Sequence, residues 1–315
     1  MTSVSRKASA RQARSGMTLI EVLVAIFVMG IGLIALLALF PIGVLRMAQA
    51  IQDGRTGHIA KNADAVAAAK GARTDAQLNF IPPGGFLGTG PFDYFKYPKG
   101  PVWPAPYTAD DAGQSFPVFV DPIGYQSNTG PVANVDWVPR RTLSFATTAA
   151  QATRWFMFLD DIYFNTDGTV GSAFEREYRY QWAYMLQRPT ASNTSIVDLK
   201  VVVYKNRPPL VAGSTERLYA AKLLEQNVVR IDWSAVGTYP QVRPGEWLLD
   251  VTLMPVAGVA NKSSRADFHR VVAMKDSSTT EVDIEVQTPF PSGNVNLQIV
   301  VMEGVAEVFR RGTGR

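Results

Sequence analysis

The first strong pattern along the chain is an uninterrupted apolar stretch near the N-terminus. Residues 22–45 provide 24 consecutive positions without a charged side chain. At about 1.5 Å of rise per residue, a helix of this length spans roughly 36 Å, which exceeds the ~30 Å hydrocarbon core of a membrane. Because the stretch is apolar all round rather than on one face, it is typical of a helix surrounded by lipid.

The pattern changes after the apolar stretch to one in which polar and apolar residues are mixed. Ile51, Ile59, Ala63 and Val66 recur at spacings that place them on one face of a helix. We therefore expect residues 46–80 to continue the same helix as an amphipathic segment, with its apolar face against a globular domain.

The remaining residues, 81–315, are expected to form a β-rich globular domain. Its first part, residues 82–140, is rich in proline, glycine and aromatic residues and predicts an irregular segment with short strands such as 116–120. From residue 154 onward, alternating apolar and polar positions predict antiparallel strands. The predicted strands are 155–164, 178–185, 198–204, 228–233, 247–253, 268–274, 281–286 and 295–301, and a short helix is predicted at 218–226. One long helix followed by antiparallel strands is an α+β fold.

Composition and charge narrow the possible functions. The chain has no cysteine, which excludes disulfides and thiolate chemistry. Of its 31 basic residues, four lie in residues 1–16, and the remaining 27 equal the number of acidic residues. The excess positive charge therefore belongs to the N-terminal 16 residues, and the rest of the chain offers no electrostatic basis for binding nucleic acid.

One residue does not fit a simple membrane helix. Glu21 lies just before the uncharged stretch, where a carboxylate is costly to place in lipid. A secretory signal peptide is one interpretation, because Ala48-Gln49-Ala50 is a small-x-small cleavage pattern that would make Ile51 the first mature residue. However, the apolar run is longer than the usual signal-peptide core of about 7–15 residues. A plain membrane anchor is a second interpretation, and neither explains Glu21.

A third interpretation rests on the segment Gly16-Met17-Thr18-Leu19-Ile20-Glu21, which follows a basic leader and precedes the apolar helix. This arrangement resembles the processing site of type IV pilins and type II secretion pseudopilins. The resemblance implies that a prepilin peptidase removes residues 1–16 by cutting after Gly16, and that Met17 becomes the methylated mature N-terminus. Methionine stands where phenylalanine is commoner in the family.

The resemblance also implies roles within the apolar helix, residues 17–45, which would form the filament core. Glu21 would pair with the N-terminal amine of a neighbouring subunit and set the register of assembly, although a carboxylate at a helix start is also favoured by the helix dipole. In assembled filaments of this family the helix can unwind between a glycine and a proline. Gly30, Gly32 and Pro41 mark the matching stretch here, with a simple kink as the alternative.

These implications predict a structural role. We expect a pilin-like subunit, more similar to minor than to major subunits, with other pilin-like subunits, a prepilin peptidase, an inner-membrane assembly platform and the lipid bilayer as partners. The positive leader predicts a single-pass inner-membrane protein with a cytoplasmic N-terminus and an external C-terminal domain. The alternative is a membrane-anchored or secreted β-rich binding protein without a filament role.

Candidate chemistry is sparse. His58 and His269 are far apart in the sequence, and no catalytic motif is present, so we expect neither an enzyme nor a required cofactor. Arg140-Arg141 and Arg310-Arg311 are predicted to be surface or terminal charges. One acidic, turn-forming segment is a weak calcium candidate against the simpler interpretation of a solvated turn. Its possible oxygen ligands are Asp160, Asp161, Asn165 and Asp167.

Overall fold

A computed structural model describes residues 18–79, 93–96, 115–127, 140–158, 165–169, 180–190, 192–207, 216–255, 262–264, 266–276, 278–291 and 296–314. The chain divides into two compact units, residues 1–55 and residues 56–315. The described helices are α1 (Leu19–Ala69), α2 (Ala76–Asn79), α3 (Pro122–Ser127) and α4 (Ala149–Phe156), with a 3₁₀ turn at Ala72–Thr74. The strands are β1 (Val118–Val120), β2 (Arg140–Arg141), β3 (Tyr180–Gln187), β4 (Val197–Lys205), β5 (Glu216–Glu225), β6 (Val228–Asp232), β7 (Trp247–Asp250), β8 (Leu253–Pro255), β9 (Lys262–Ser264), β10 (Asp267–Asp276), β11 (Glu281–Val286), β12 (Asn296–Met302) and β13 (Val305–Gly314).

Helix α1 is continuous for 51 residues and includes Pro41 in its interior. It also runs through Gly54 and Gly57, where glycine lowers helix propensity. The helix ends before Gly71, which adopts a left-handed backbone with φ of 63°. Glycine is the residue that takes this conformation at a helix C-terminus without steric cost.

The C-terminal turns of α1, from residue 56 onward, pack against a sheet. Ile59 and Ala63 are fully buried in the core cluster that also contains the sheet side chains, and Val66 packs against it. The small side chain of Ala63 lets the sheet approach closely enough for the Tyr184 hydroxyl to donate to the Ala63 carbonyl oxygen at 2.6 Å. Ile51 is the remaining residue of the predicted apolar face. It is 50% exposed and belongs to the N-terminal unit.

Among the described residues, the sheet against α1 has five strands in the order β13-β4-β3-β1-β2. All neighbouring pairs are antiparallel except β1 and β2, which are parallel. Strand β3 shows that both faces of the sheet are covered. Trp182 and Tyr184 belong to the core cluster shared with α1, whereas Ala183 and Met185 belong to a cluster on the opposite face. The alternation predicted from the sequence is therefore confirmed for the described part of this strand.

The opposite face of the sheet packs on a closed six-stranded barrel, β10-β11-β6-β5-β12-β7. Every pair in the barrel is antiparallel, and its interior is filled by its own cluster of mainly aliphatic side chains. In β11, Val282, Ile284 and Val286 are buried, while the intervening Asp283 and Glu285 are not, as their alternation predicts. The described globular part is therefore layered as helix, sheet and barrel.

The barrel is inserted between two neighbouring strands of the sheet. Strands β4 and β13 pair directly, yet all six barrel strands lie between them in sequence. The chain leaves β4 for the barrel and returns from it to β13 at adjacent points. At this junction the Lys205 amide donates to the Gly304 carbonyl oxygen at 2.8 Å. An α+β fold with antiparallel sheets is confirmed, and the arrangement as a sheet with an inserted barrel adds to that prediction.

Two local predictions are wrong. The segment predicted as a helix at 218–226 is strand β5, in which Tyr219 and Ala221 point into the barrel with a period of two. The strand predicted from Trp155 begins instead as helix α4, because Thr148 caps the helix and Gln151 completes a capping box. Residues 159–164 of that predicted strand lie outside the described residues. Strand β13 was not predicted.

Candidate functional site

The start of α1 is built by a short capping arrangement around Thr18 and Glu21. The Glu21 amide donates to the Thr18 carbonyl oxygen at 3.0 Å and also approaches the Thr18 hydroxyl at 3.4 Å. Thr18 thus satisfies an amide of the first turn that has no partner within the helix. Glu21 is the acidic residue of that first turn, where the helix dipole favours negative charge. Its side chain is exposed and available to a group outside the chain.

The helix that follows presents an apolar surface on all sides. Its large hydrophobic side chains between Leu19 and Met47 are between 41% and 80% exposed. Among the described residues, α1 is the one helix long and apolar enough to cross a membrane, with a mean hydropathy of 3.0 in its most apolar part. Continuous apolar surface of this extent requires a partner, either lipid or other protein helices.

Packing against the described residues does not require glycine in the apolar part of this helix. A Cβ atom added at Gly30, Gly32 or Gly43 would meet no atom of the described residues within 4 Å. Glycine in a helix interior nevertheless destabilises the helix by about 0.5–1 kcal/mol relative to alanine. Pro41 also lacks the amide that would bond to the Leu37 carbonyl. The structure shows a continuous helix here, and unwinding in a filament stays a prediction for Gly30, Gly32 and Pro41.

The predicted processing residues, Gly16 and Met17, lie outside the described residues, as does the whole leader, residues 1–16. Their roles in cleavage and methylation therefore stay predictions from the sequence. The described chain begins at Thr18, directly after the predicted mature N-terminus.

A buried group of four charged residues, which the sequence analysis did not identify, joins the sheet to the barrel. Asp121 accepts from both terminal nitrogens of Arg207 at 2.9 and 2.6 Å and from Arg140 Nε at 2.7 Å. Arg140 also donates to Glu216, the first residue of β5. The four side chains are between 1% and 6% exposed, so water provides little screening. We call Asp121, Arg140, Arg207 and Glu216 the ion cluster.

Mutual pairing keeps the ion cluster charged despite its burial. Burial alone would raise the pKa of Asp121, but Arg207 and Arg140 together hold it well below its usual range. Burial likewise opposes the charge on Arg207, and Asp121 overcomes this effect and raises its pKa. Two cations balance two anions, and the arginines also lie over the rings of Tyr204 and Phe119. The ion cluster therefore fixes the β1–β2 edge of the sheet to the start of β5.

The burial of Arg140 corrects the prediction that Arg140-Arg141 are surface charges, because only 7% of Arg140 is exposed. No local sequence signal identifies the ion cluster, since Arg140 and Glu216 are 76 residues apart.

A second buried ion pair also joins segments that are far apart in the sequence. Arg188 Nη1 lies 2.8 Å from Asp93 Oδ2, and the pair connects the end of β3 to the described segment 93–96.

The calcium candidate is described only in part. Asn165 and Asp167 lie in a tight turn in which the Asp167 carboxylate accepts from the Thr169 amide at 2.9 Å and from its hydroxyl at 2.6 Å. These bonds hold the pKa of Asp167 below its usual value. Asp160 and Asp161 lie outside the described residues. Within the described ranges, no group of three or more His, Asp or Glu side chains is placed to hold a metal ion.

Comparison with known families agrees with the N-terminal arrangement. Residues 11–37 match the family model of the prokaryotic N-terminal methylation motif. No curated protein and no solved structure gives a match to this chain. The chain thus carries the prepilin-type signal of type IV pilins and pseudopilins, which supports a pilin-like or pseudopilin protein. The motif implies assembly with other pilin subunits and processing by a prepilin peptidase, and with the apolar helix it is consistent with an inner-membrane anchor.

Proposed function

We propose that this chain is a minor structural subunit of a type IV pilus or a type II secretion pseudopilus. The observation that supports the proposal is the methylation motif at residues 11–37 on a helix whose apolar surface is exposed on all sides. In this role the leader is removed after Gly16, and the helix passes from the inner membrane into the core of a filament. The function is carried by assembly and uses neither a catalytic group nor a cofactor.

The minor role is inferred from the inserted barrel. Helix α1 and the five-stranded sheet already bury one face of the sheet, and the barrel adds a third layer on the other face. A subunit of a dense helical shaft must pack closely against its neighbours on several sides. A bulky extra layer is easier to accommodate at a filament tip, and we therefore place the subunit there or at initiation.

Glu21 is assigned to assembly rather than to folding. It lies at the start of the helix, and its side chain is exposed. In the apolar filament core an unpaired carboxylate is costly, whereas pairing with the amine of Met17 on a neighbouring subunit removes that cost. A subunit docked in the wrong register leaves both charges unpaired, so the pair selects the correct register.

The first experiment determines the mature N-terminus of the membrane-extracted protein by mass spectrometry. We expect it to begin at Met17 and to carry an N-methyl group when the chain is produced with its own prepilin peptidase. A mature protein that begins at Ile51 would contradict the proposal and favour the secreted binding protein.

The second experiment tests Glu21 by replacing it with alanine and with glutamine. We expect normal cleavage after Gly16 but no incorporation into sheared filaments for either variant, because each lacks the carboxylate. Asp53→Ala, which removes a carboxylate farther along the same helix, is the matched control and should be incorporated. Normal incorporation of Glu21→Gln would show that the charge is not needed.

A further inference from the structure

A short segment after β11 connects two parts of the barrel. Residues 287–291, which we call the strap, place Phe290 in the hydrophobic cluster of the barrel interior. The Phe290 amide donates to the Gln226 carbonyl oxygen at 2.7 Å, and the Gln287 amide donates to the Arg270 carbonyl oxygen at 2.8 Å. The strap therefore ties the turn between β5 and β6 to β10. Apart from Phe290, its residues are exposed, so this one side chain is its anchor in the interior.

The anchor packs on a buried histidine. The rings of His269 and Phe290 are stacked with their centroids 4.0 Å apart, and His269 is 2% exposed. His269 Nδ1 lies 2.9 Å from the Thr288 carbonyl oxygen, which can only accept a hydrogen bond, so Nδ1 carries the proton and donates. Among the described residues, the buried His269 Nε2 has no hydrogen-bond partner.

This geometry accommodates a neutral ring only. A second proton on Nε2 would create a buried cationic N–H for which the described part of the chain offers no acceptor, and this is strongly unfavourable. The strap itself and the Gln226-Asn227 turn contribute no ionisable side chain that could compensate. Burial is the largest influence on the ring, and it lowers the pKa of His269. The hydrogen bond to the Thr288 carbonyl, together with the charges of Asp250 on β7 and Asp267 on β10, acts in the opposite direction, whereas Arg310 on β13 lowers the pKa further. The net pKa of His269 is lowered, so burial outweighs the groups that favour the charged ring.

We propose that the strap is an acid-sensitive latch, which stays closed while His269 is neutral and opens when the ring takes up a proton. Opening exposes the ring, separates it from Phe290 and uncovers the end of the barrel interior that Phe290 occupies. The latch is a property of the barrel alone and does not depend on the filament role.

The size of the effect follows from proton linkage. In the open state the ring is solvated and has the ordinary histidine pKa of about 6.5, whereas burial lowers the pKa of the ring in the closed state. Lowering the pH from 7.5 to 5.0 therefore favours the open state, by about 30-fold at the limit where the closed state takes up no second proton. The direction of the pKa shift also determines that acid opens the strap and does not close it. A histidine whose pKa is lowered in the closed state stabilises that state above the pKa of the solvated ring, and this stabilisation is lost as the pH falls below that pKa.

Hydrogen exchange of the strap amides in the full chain, held in detergent micelles, tests the latch. After correction for the intrinsic pH dependence of exchange, we expect protection of the Gln287 and Phe290 amides to fall by more than threefold and by up to about 30-fold between pH 7.5 and 5.0. Amides in the centre of β4 serve as the internal reference and should keep their protection. The His58→Gln control leaves His269 as the sole histidine and should respond as the native chain does.

The His269→Gln variant removes the titrating ring and should make strap protection independent of pH. Strap protection in the native chain that changes less than threefold, or falls equally in His269→Gln, would overturn the proposal. If His269→Gln leaves the strap open at every pH, the His58→Gln chain with ¹⁵N-labelled histidine decides the matter. Its single imidazole should titrate together with the loss of strap protection, and titration while the strap stays protected would refute the latch.

Discussion

Replacing Asp121 by asparagine is expected to destabilise the globular unit strongly, although the two side chains have nearly the same shape. Asp121 accepts four hydrogen bonds: two from Arg207, one from Arg140 Nε and one from the Gly124 amide at 3.0 Å. Asparagine keeps one acceptor oxygen and turns an amide nitrogen, itself a donor, toward an arginine. The ion cluster also changes from neutral to a net positive charge, with two buried arginines facing Glu216 alone.

The expected magnitude follows from this imbalance. Removing one partner from a buried ion pair costs about 3–5 kcal/mol, because the remaining charge stays desolvated without compensation. For a unit of this size, that loss lowers Tm by roughly 6–20 °C. The effect should be measured by thermal and denaturant unfolding of the full chain in detergent micelles, monitored by circular dichroism and tryptophan fluorescence.

The matched control is Asp283→Asn, because Asp283 also pairs bidentately with an arginine, Arg230, but on the barrel surface. Water and salt screen that pair, so its loss should change Tm much less. The pH dependence gives a second check. Because the pKa of Asp121 is held well below its usual range, its contribution should be intact above about pH 4 and should decline only at lower pH. A loss below about 1 kcal/mol at neutral pH, or equal losses for Asp121→Asn and Asp283→Asn, would refute the assigned role of the ion cluster.

Two further predictions concern the packing of the sheet. Tyr184→Phe should destabilise the globular unit by about 1–2 kcal/mol in denaturant unfolding, because it removes the bond to the Ala63 carbonyl oxygen and the acceptor of the Trp182 indole N–H. An unchanged unfolding midpoint would show that this contact between α1 and β3 contributes nothing. Gly304→Ala should destabilise more than Gly237→Ala, although both glycines have positive φ, because only at Gly304 would the new Cβ approach the Arg207 Cα, at 3.2 Å. Equal losses of Tm would show that the junction between sheet and barrel relaxes freely.

The sequence predicted most reliably where local periodicity and burial agree. Strand β3 alternates aromatic with non-aromatic residues and β11 alternates aliphatic with acidic residues, so both alternations are visible without knowledge of the neighbouring strands. The α+β class was likewise predictable from a long apolar helix followed by alternating segments. The motif at residues 11–37 was recognisable because it is one contiguous segment, so its residue order is visible without knowledge of the fold.

Errors occurred where neighbours in space decide the outcome. Strand β5 contains Leu, Ala, Lys and Glu, which favour helix, yet pairing with both β6 and β12 makes it a strand. Arg140 was predicted to be a surface charge. Arginine is rarely buried without a partner, and Asp121 and Glu216 from distant segments make its burial favourable. The roles of Gly16, Met17 and Glu21, the unwinding at Gly30, Gly32 and Pro41, and the calcium candidate stay predictions.

By itself, then, the sequence determined the features that depend on the chain's interaction with its solvent. A run of 24 uncharged residues is apolar in any fold, and the basic N-terminal segment before Gly16 carries its charge in any conformation. Only the tertiary structure decided where the barrel is inserted, which charges form the ion cluster, and which face of His269 meets Phe290. The physical reason is that desolvated charges and buried rings take their energies from partners far away in sequence, and folding alone brings those partners together.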